Sequence, residues 1–156
     1  MGGEVTRSYD AAHINAVINH PDVFPWVAGP NDVTLDVTEW LADPAHILLT
    51  NEHGGFLFHP RGGGTYEVHS QIVPEGRKQS LSAAQSAARY MFTQTDCVRI
   101  VTYVPENNRR AKALTLAMNF EHTHAGNPWV TNAGESVPVQ WYELTKDRWM
   151  QCQSQQ

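Results

Sequence analysis

The chain has few of the residues that specify disulfide-rich, metal-binding or membrane proteins. It contains two cysteines in 156 residues, too few for a disulfide framework and without the spacing of a metal site. No apolar run approaches the roughly 20 residues that a membrane-spanning helix needs. Basic residues are also scarce: 11 Lys and Arg stand against 16 Asp and Glu, and the net charge of −5 disfavours non-specific nucleic-acid binding. We therefore expect a soluble, cytoplasmic protein with no membrane or nucleic-acid partner.

The histidines are the one group that invites a metal-site interpretation. Eight are present, and His122 and His124 alternate in a predicted strand where His59 could join them. No HExxH or CxxC motif fixes further ligands. We therefore predict surface or core histidines and no metal.

Length and composition predict one domain. With 41% hydrophobic residues, a chain of this size can bury a core without disulfides or metal ions to stabilise it. We assign residues 1–150 to this domain and residues 151–156 to a polar tail that is frayed.

The order of predicted elements is a short strand, a helix capped by Asp10, a helical turn capped by Thr38, a three-strand meander, and then alternating helices and strands. The meander is AHILLT, GFLFHP and TYEVHSQIV, separated by Gly-containing turns. A strand, crossover helix and strand form a parallel pair. The predicted fold class is therefore α/β (α+β), with a mixed, twisted sheet of about six to seven strands flanked by helices.

The second half of the chain supplies the central and closing strands. CVRIVTYV is β-branched and nearly all apolar, as a buried central strand should be. AGNPWVTNAGESVP is rich in Gly, Pro and Asn and is predicted to be a long exposed loop. VPVQWYEL is the last predicted strand and could pair across a homodimer.

The stretch from Tyr66 to Ala88 is predicted to organise the functional site. It reads as an alternating strand, the turn Pro74-Glu75-Gly76, two basic residues and an alanine-rich helix. A strand that turns directly into a helix aims unpaired N–H groups and the helix dipole at one point. This arrangement predicts a phosphate-binding cradle.

Two motifs carry a resemblance to a known family. Val73-Pro74-Glu75-Gly76-Arg77-Lys78, followed by Leu81, is similar to R/Q-x-x-G-x-G/A at a helix start, with Val73 and Lys78 departing from the pattern. Asn108, Ala111, Leu114, Thr115 and Asn119-Phe120 are similar to N-x-x-A-x-x-L-Y-x-x-x-G-F, with Thr115 in place of the tyrosine and Asn119 in place of the glycine. With these motifs the chain resembles the GNAT superfamily of acyl-CoA-dependent N-acetyltransferases, in particular compact members from bacteriophages.

The resemblance implies acetyl-CoA as the cosubstrate. The strand TYEVHSQIV and the central strand would lie parallel and splay apart, so that backbone groups of Gln71, Ile72 and Val73 pair with the pantetheine. The pyrophosphate would lie on the turn and helix start, Asn108 would hold the far side of the cofactor, and Arg109 or Arg110 could reach its 3′-phosphate. The implied pyrophosphate-binding residues are Gly76, Arg77, Lys78, Gln79, Ser80, Leu81 and Ser82.

The catalytic prediction follows from what aminolysis of a thioester requires: a deprotonated amine and a donor to the developing oxyanion. The resemblance implies Glu67 as the candidate base, because members of the superfamily often have a carboxylate on this strand. His69 faces the same way two residues on, so the two can act as a pair. Tyr103 could replace the missing tyrosine acid, or solvent could protonate the leaving thiolate. The structural alternatives are a solvent-facing glutamate, a satisfied histidine and a core tyrosine.

We predict direct transfer of acetyl to a primary amine in a ternary complex, because neither cysteine is placed as a nucleophile. The acceptor is a small-molecule or protein amine, and a phage-encoded protein would act in the host cytoplasm. Two alternatives stay open. One is a non-catalytic protein of the same fold, such as a phage-particle or host-interaction component; the other is an enzyme that modifies nucleic-acid bases.

Overall fold

One mixed sheet carries most of the chain, of which the computed structural model describes residues 2–154. Its strands are β1 (Thr6–Arg7), β2 (Ile47–Asn51), β3 (Gly54–Gly62), β4 (Thr65–Ile72), β5 (Arg99–Pro105), β6 (Glu121–Ala125), β7 (Trp129–Val130), β8 (Ser136–Val137) and β9 (Val139–Thr145). The helices are α1 (Ala11–Ile18), α2 (Thr38–Ala42), α3 (Ser80–Gln94), α4 (Arg109–Ala117) and α5 (Lys146–Ser154), with 3-10 helices at Phe24–Trp26 and Pro74–Gln79. None of these helices, within residues 2–154, is long and apolar enough to cross a membrane.

The strand order confirms the predicted mixed sheet. Among the described residues, seven strands lie in the order β1-β2-β3-β4-β5-β9-β6, and β7 and β8 form a separate hairpin. Only β4 and β5 pair in parallel, as expected for strands joined by a crossover helix, and the other neighbours are antiparallel.

Apolar side chains cover both faces of the sheet. The alanines of α3 recur at helical spacing (Ala83, Ala84, Ala87 and Ala88) and are all buried in the larger core cluster. Because alanine is small, α3 can lie close to the phenylalanines of β3. On the opposite face, α1 and α2 form a second cluster with Leu48 and Leu57. Successive side chains of β4 therefore point alternately to the two faces of the sheet.

Two sequence predictions are corrected here. The stretch predicted to be a long exposed loop contains the β7–β8 hairpin, where Val137 is buried. Thr38 is the first residue of α2 and not its cap; its hydroxyl and its N–H both donate to Asp36. The last strand, β9, pairs with β5 along one edge and, from Gln140 to Glu143, with β6 along the other, so within residues 2–154 both edges are paired inside the chain; a homodimer stays a prediction.

The carboxyl-terminal residues also differ from the prediction. Residues 151–154, predicted to be a frayed tail, belong to α5. Trp149 of this helix lies 5.3 Å from the ring of Phe92, which is buried in α3. This aromatic contact docks α5 on the core.

Candidate active site

The central opening of the sheet lies between β4 and β5. The two strands pair only from Thr65 to Glu67, opposite Arg99 to Val101, and then separate. At the point of separation the hydroxyl of Thr102 donates to the carbonyl of Val68 at 2.9 Å. A side chain thus replaces the next backbone bond, and the strand edge beyond it is open, as predicted.

The alternation of hydrogen bonds decides which backbone groups face this gap. The N–H of Val73 donates to the carbonyl of His53 at 3.0 Å, on the β3 side. In an antiparallel pair, residues that bond to the partner strand alternate with residues that face away. Gln71 therefore also directs its backbone groups to β3, whereas those of Ser70 and Ile72 face the gap.

This geometry differs from the predicted one, in which Gln71, Ile72 and Val73 all present backbone groups to the gap. Of these three only Ile72 does, and Ser70, which was not predicted, does so too. The register could not be read from the strand pattern, because side-chain alternation does not say which edge of the strand is bonded.

A cleft of about 350 Å³ extends from this gap between α3 and α4, and we call it the α3–α4 cleft. It contains eight of the predicted cofactor-binding residues: Gln71, Ile72, Arg77, Lys78, Ser80, Leu81, Asn108 and Arg110. Ser70 lines it too, and so do Asp22, Val23 and Trp26 from the loop after α1. The sequence of this loop is rich in proline and aromatic residues but contains no motif that assigns it to a ligand site.

The α3–α4 cleft is rich in uncompensated positive charge. Arg77, Lys78 and Arg110 form no ion pair with any described residue, while Asp22 is the single carboxylate among the lining side chains of the described chain. Asn108 uses its side-chain oxygen to cap α4, accepting from the N–H of Ala111 at 3.1 Å. Three unpaired cations along an apolar cleft fit a long ligand with several phosphate groups.

Three other predicted residues have structural contacts outside the cleft. Gly76 is buried against His53, and a Cβ at this position would lie 2.3 Å from the Cβ of that histidine. The side chain of Gln79 lies against Gly2, and the hydroxyl of Ser82 donates to the carbonyl of Gly2 at 2.7 Å.

The predicted cradle of free N–H groups is also partly closed. The chain passes through a 3-10 helix before α3, and its turns use the N–H groups of Gly76 and Ser80, which donate to Val73 and Arg77. At least two N–H groups of the predicted cradle are therefore used within the turn, whereas Arg77 and Lys78 form no ion pair with any described residue.

A second cavity, of about 440 Å³, opens on the other face of β4, and we call it the β4 cavity. Its lining residues are Ile18, Val27, Trp40, Leu57, His59, Arg61, Glu67, His69, Gln71 and Tyr103. Gln71 lines both this cavity and the α3–α4 cleft. Both spaces therefore border Gln71, and all three predicted catalytic residues line the β4 cavity.

Glu67 is buried, with 8% of its surface exposed, and both carboxylate oxygens are engaged. Oε1 accepts from Arg61 Nη1 at 2.5 Å, and Oε2 lies 2.7 Å from His69 Nε2. The hydrogen bond from His69, assisted by the positive charge of Arg61, lowers the pKa of Glu67 although burial opposes this. Glu67 is thus held as a carboxylate and not poised to take up a proton.

The same contact sets the tautomer of His69. A carboxylate only accepts hydrogen bonds, so Nε2 of His69 carries the proton and, in the neutral ring, Nδ1 holds a lone pair. No atom of residues 2–154 hydrogen-bonds this Nδ1. The pair therefore presents a free base on an oriented imidazole, which the sequence predicted only as two residues on one face.

Tyr103 packs its ring edge-to-face against His69, with centroids 5.4 Å apart. Burial, with a smaller contribution from the charge of Glu67, raises the pKa of Tyr103. Its hydroxyl therefore stays protonated and can donate a hydrogen bond. Thr115, at the position where the family motif has tyrosine, is buried and donates its hydroxyl to the carbonyl of Ala111 within α4.

The remaining histidines do not assemble into a metal site. His59 lies 3.2 Å from His46, whereas His122 pairs with Gln140 and His124 stacks on Trp141. No group of three or more potential ligand side chains gathers in the described part of the chain.

Cys97 lines neither the α3–α4 cleft nor the β4 cavity. It is buried in the larger core cluster, and this burial raises the pKa of its thiol to about 11. A thiol that keeps its proton is a poor nucleophile.

Comparison with solved structures identifies the fold. Spermidine N-acetyltransferase from Vibrio cholerae, in complex with CoA and spermine, superposes with a TM-score of 0.76 at 18% identity, over 94% of this chain and 98% of that one. The ribosomal-protein-S5-alanine acetyltransferase from Vibrio fischeri gives 0.71 at 14% identity, over 94% and 93%. A GNAT-family acetyltransferase from Bacillus anthracis gives 0.69 at 16% identity, over 94% and 99%.

These likenesses show that the chain has the fold of the GNAT acetyltransferases, which confirms the predicted fold class. No protein-family model matches the sequence, and no curated protein matches it.

Proposed function

We propose that the protein transfers the acetyl group of acetyl-CoA to a primary amine by direct attack in a ternary complex. The observation that carries this proposal is that two cavities border Gln71, which lies beyond the last backbone pair of β4 and β5. One cavity carries three unpaired cations, and the other carries an oriented imidazole. The structural neighbours include acetyltransferases that act on amines, one of them solved with CoA, and this supports the same assignment.

The α3–α4 cleft would hold the acetyl-CoA. Backbone groups of Ser70 and Ile72 would pair with the pantetheine amides as an added strand does. Arg77, Lys78 and Arg110 would contact the phosphates, and no one of these charges suffices, because an exposed charge contributes only about 0.3–1 kcal/mol. The thioester would then lie beside Gln71, within reach of an amine in the β4 cavity.

His69 would act as the base, and Glu67 would position it. As the amine nitrogen forms its bond to the acetyl carbon and the carbon–sulfur bond breaks, the amine proton passes to Nδ1 of His69. The sulfur leaves as a thiolate and takes a proton from solvent or from the His69 imidazolium. Tyr103 would donate a hydrogen bond without giving up its proton, because a thiol has a pKa near 8.5, below the raised pKa of Tyr103.

No cysteine takes part in this scheme. Cys97 is buried and protonated, so a direct attack on the thioester is favoured over an acetylated enzyme.

Release of CoA thiol from acetyl-CoA, measured with and without added primary amines, tests the proposal. The wild-type protein should release thiol in an amine-dependent manner, and His69→Ala should lower kcat by roughly 10²–10⁴-fold, the usual contribution of a general base. His122→Ala removes an exposed histidine outside both cavities and serves as the matched control. Equal rates in wild type and His69→Ala would refute the role of His69.

A further inference from the structure

The β4 cavity has no free carboxylate for a second positive charge. Among the described residues that line it, Glu67 is the single acid, and its two oxygens are taken by Arg61 and His69. A buried or half-buried ammonium needs a carboxylate or several acceptors to replace its water. A polyamine with one amine at the reacting position would leave its other ammonium groups without a carboxylate partner among the described lining residues.

His59 and Arg61 also line this wall, and His46, which does not line it, contacts His59. Nδ1 of His46 lies 2.5 Å from the carbonyl of Trp40, and because a carbonyl only accepts, this nitrogen carries a proton. In the neutral ring Nε2 of His46 then accepts, so His59, 3.2 Å away, donates from its Nδ1. Asp43 is 3.9 Å from Nε2 of His46 but is exposed and does not line the cavity. Arg61 adds a permanent positive charge.

The remaining wall is apolar or aromatic. Ile18, Val27, Trp40 and Leu57 contribute apolar surface, and Tyr103 contributes a ring. Among these described side chains, Gln71, which also lines the α3–α4 cleft, offers a neutral amide. A cavity of about 440 Å³ with this lining is typical of sites that bury an apolar body and orient it by a few polar groups.

We infer that the acceptor is a small monoamine with an apolar body, such as an arylalkyl or branched alkyl amine, and that the β4 cavity discriminates against polyamines. This inference rests on the proposed function and adds the acceptor class to it. It also separates this chain from the structural neighbour solved with spermine.

The acceptor preference is measured by thiol release with 2-phenylethylamine, isopentylamine, putrescine, spermidine and an alanine-initiated peptide at a fixed pH. We expect kcat/KM for each monoamine to exceed that for spermidine and putrescine by at least tenfold. Equal or higher values for spermidine, putrescine or the peptide would overturn the inference while leaving the acetyltransferase activity intact. No thiol release with any amine, together with no acetyl-CoA binding by calorimetry, would overturn the proposed function as well.

Placing a carboxylate on the cavity wall tests the reason for the preference. Val27 follows a 3-10 helix, is half-buried and lines the cavity, so Val27→Glu adds the missing acceptor without entering a strand. Val33 lies in the same loop, is 91% exposed and does not line the cavity, so Val33→Glu is the matched control. Val27→Glu should raise the spermidine-to-phenylethylamine ratio of kcat/KM at least tenfold, and Val33→Glu should not change it. An unchanged ratio in Val27→Glu, or an equal change in both variants, would contradict the electrostatic explanation.

Discussion

Both carboxylate oxygens of Glu67 have a partner, and this decides which residue of the proposed site acts as the base and which one positions it. Arg61 and His69 each occupy one carboxylate oxygen, and the lowered pKa makes Glu67 a weak base. The sequence suggested Glu67 as the proton acceptor because it lies on the strand where members of the resembled family often have a carboxylate. We propose His69 in its place, since its Nδ1 has no hydrogen-bond partner among residues 2–154.

Replacing Glu67 by glutamine should reverse the tautomer of His69. The glutamine amide can donate to Nε2, which would move the imidazole proton to Nδ1 and remove the free base. We expect Glu67→Gln to lower kcat by about 10²–10⁴-fold, with acetyl-CoA affinity by calorimetry nearly unchanged.

Two further measurements check this assignment. If Glu67 and His69 act as one unit, the double variant Glu67→Gln/His69→Ala should lose no more activity than His69→Ala alone. A pH–rate profile that is the same in Glu67→Gln as in the wild type would contradict the role of Glu67.

At the scale of the elements, the sequence predicted where helices begin and which segments form strands. It did not predict which backbone groups of a strand bond to which neighbour. Asp10 does cap α1, accepting from the N–H of His13, as its position before an apolar repeat predicted. The side-chain alternation of β4 correctly placed Glu67, His69 and Gln71 on one face. Which backbone groups of β4 bond to β3 depends on the register with the neighbouring strand, a long-range property that no local pattern carries.

The turn at Gly76 illustrates the same limit. Its glycine suggested a close approach of phosphate, whereas the structure shows a close approach of His53. A close approach of either phosphate or His53 explains a glycine at this position, and the sequence does not distinguish the two explanations.

Gly76→Ala should therefore force the 3-10 helix away from the β2–β3 turn. We expect a loss of roughly 1–3 kcal/mol in the free energy of unfolding by urea, as overpacking costs, and weaker acetyl-CoA binding because Arg77 and Lys78 follow directly. Gly29→Ala is the control, since a Cβ there meets only Asp32 at 3.5 Å, and we expect a change within about 0.5 kcal/mol. Equal stability of the two variants would show that the packing against His53 is not what requires glycine.

At the scale of the whole molecule, the mixed sheet and its parallel centre followed from the order of elements. The resemblance in two motifs pointed to the same fold that the structural neighbours show. The β7–β8 hairpin and the docking of α5 were missed for a physical reason. Both depend on tertiary contacts of Val137 and Trp149, and neither segment has a strong local preference.

The buried charge pair of Glu67 should also appear in the pH dependence of global stability. Its folded-state pKa is below the ordinary value of 4.5, so its contribution is fully present above that pH and is lost as the pH falls through the folded-state pKa. The wild type should exceed Glu67→Gln by about 1–3 kcal/mol in urea unfolding at pH 6.5, and by less at pH 3.5. Glu135→Gln, at an exposed position, controls for the loss of one charge. A wild-type advantage that does not shrink in acid would contradict the linkage.

The central claim is that acetyl moves from acetyl-CoA to an amine at the edge of β4. The most direct measurement mixes the purified protein with acetyl-CoA and 2-phenylethylamine and quantifies free CoA thiol and N-acetylated amine in the same samples, the latter by mass spectrometry. We predict that the two products appear in equal amounts, at a rate proportional to protein, and that both are lost with His69→Ala. Absence of the N-acetylated product with every primary amine, despite acetyl-CoA binding, would contradict the claim.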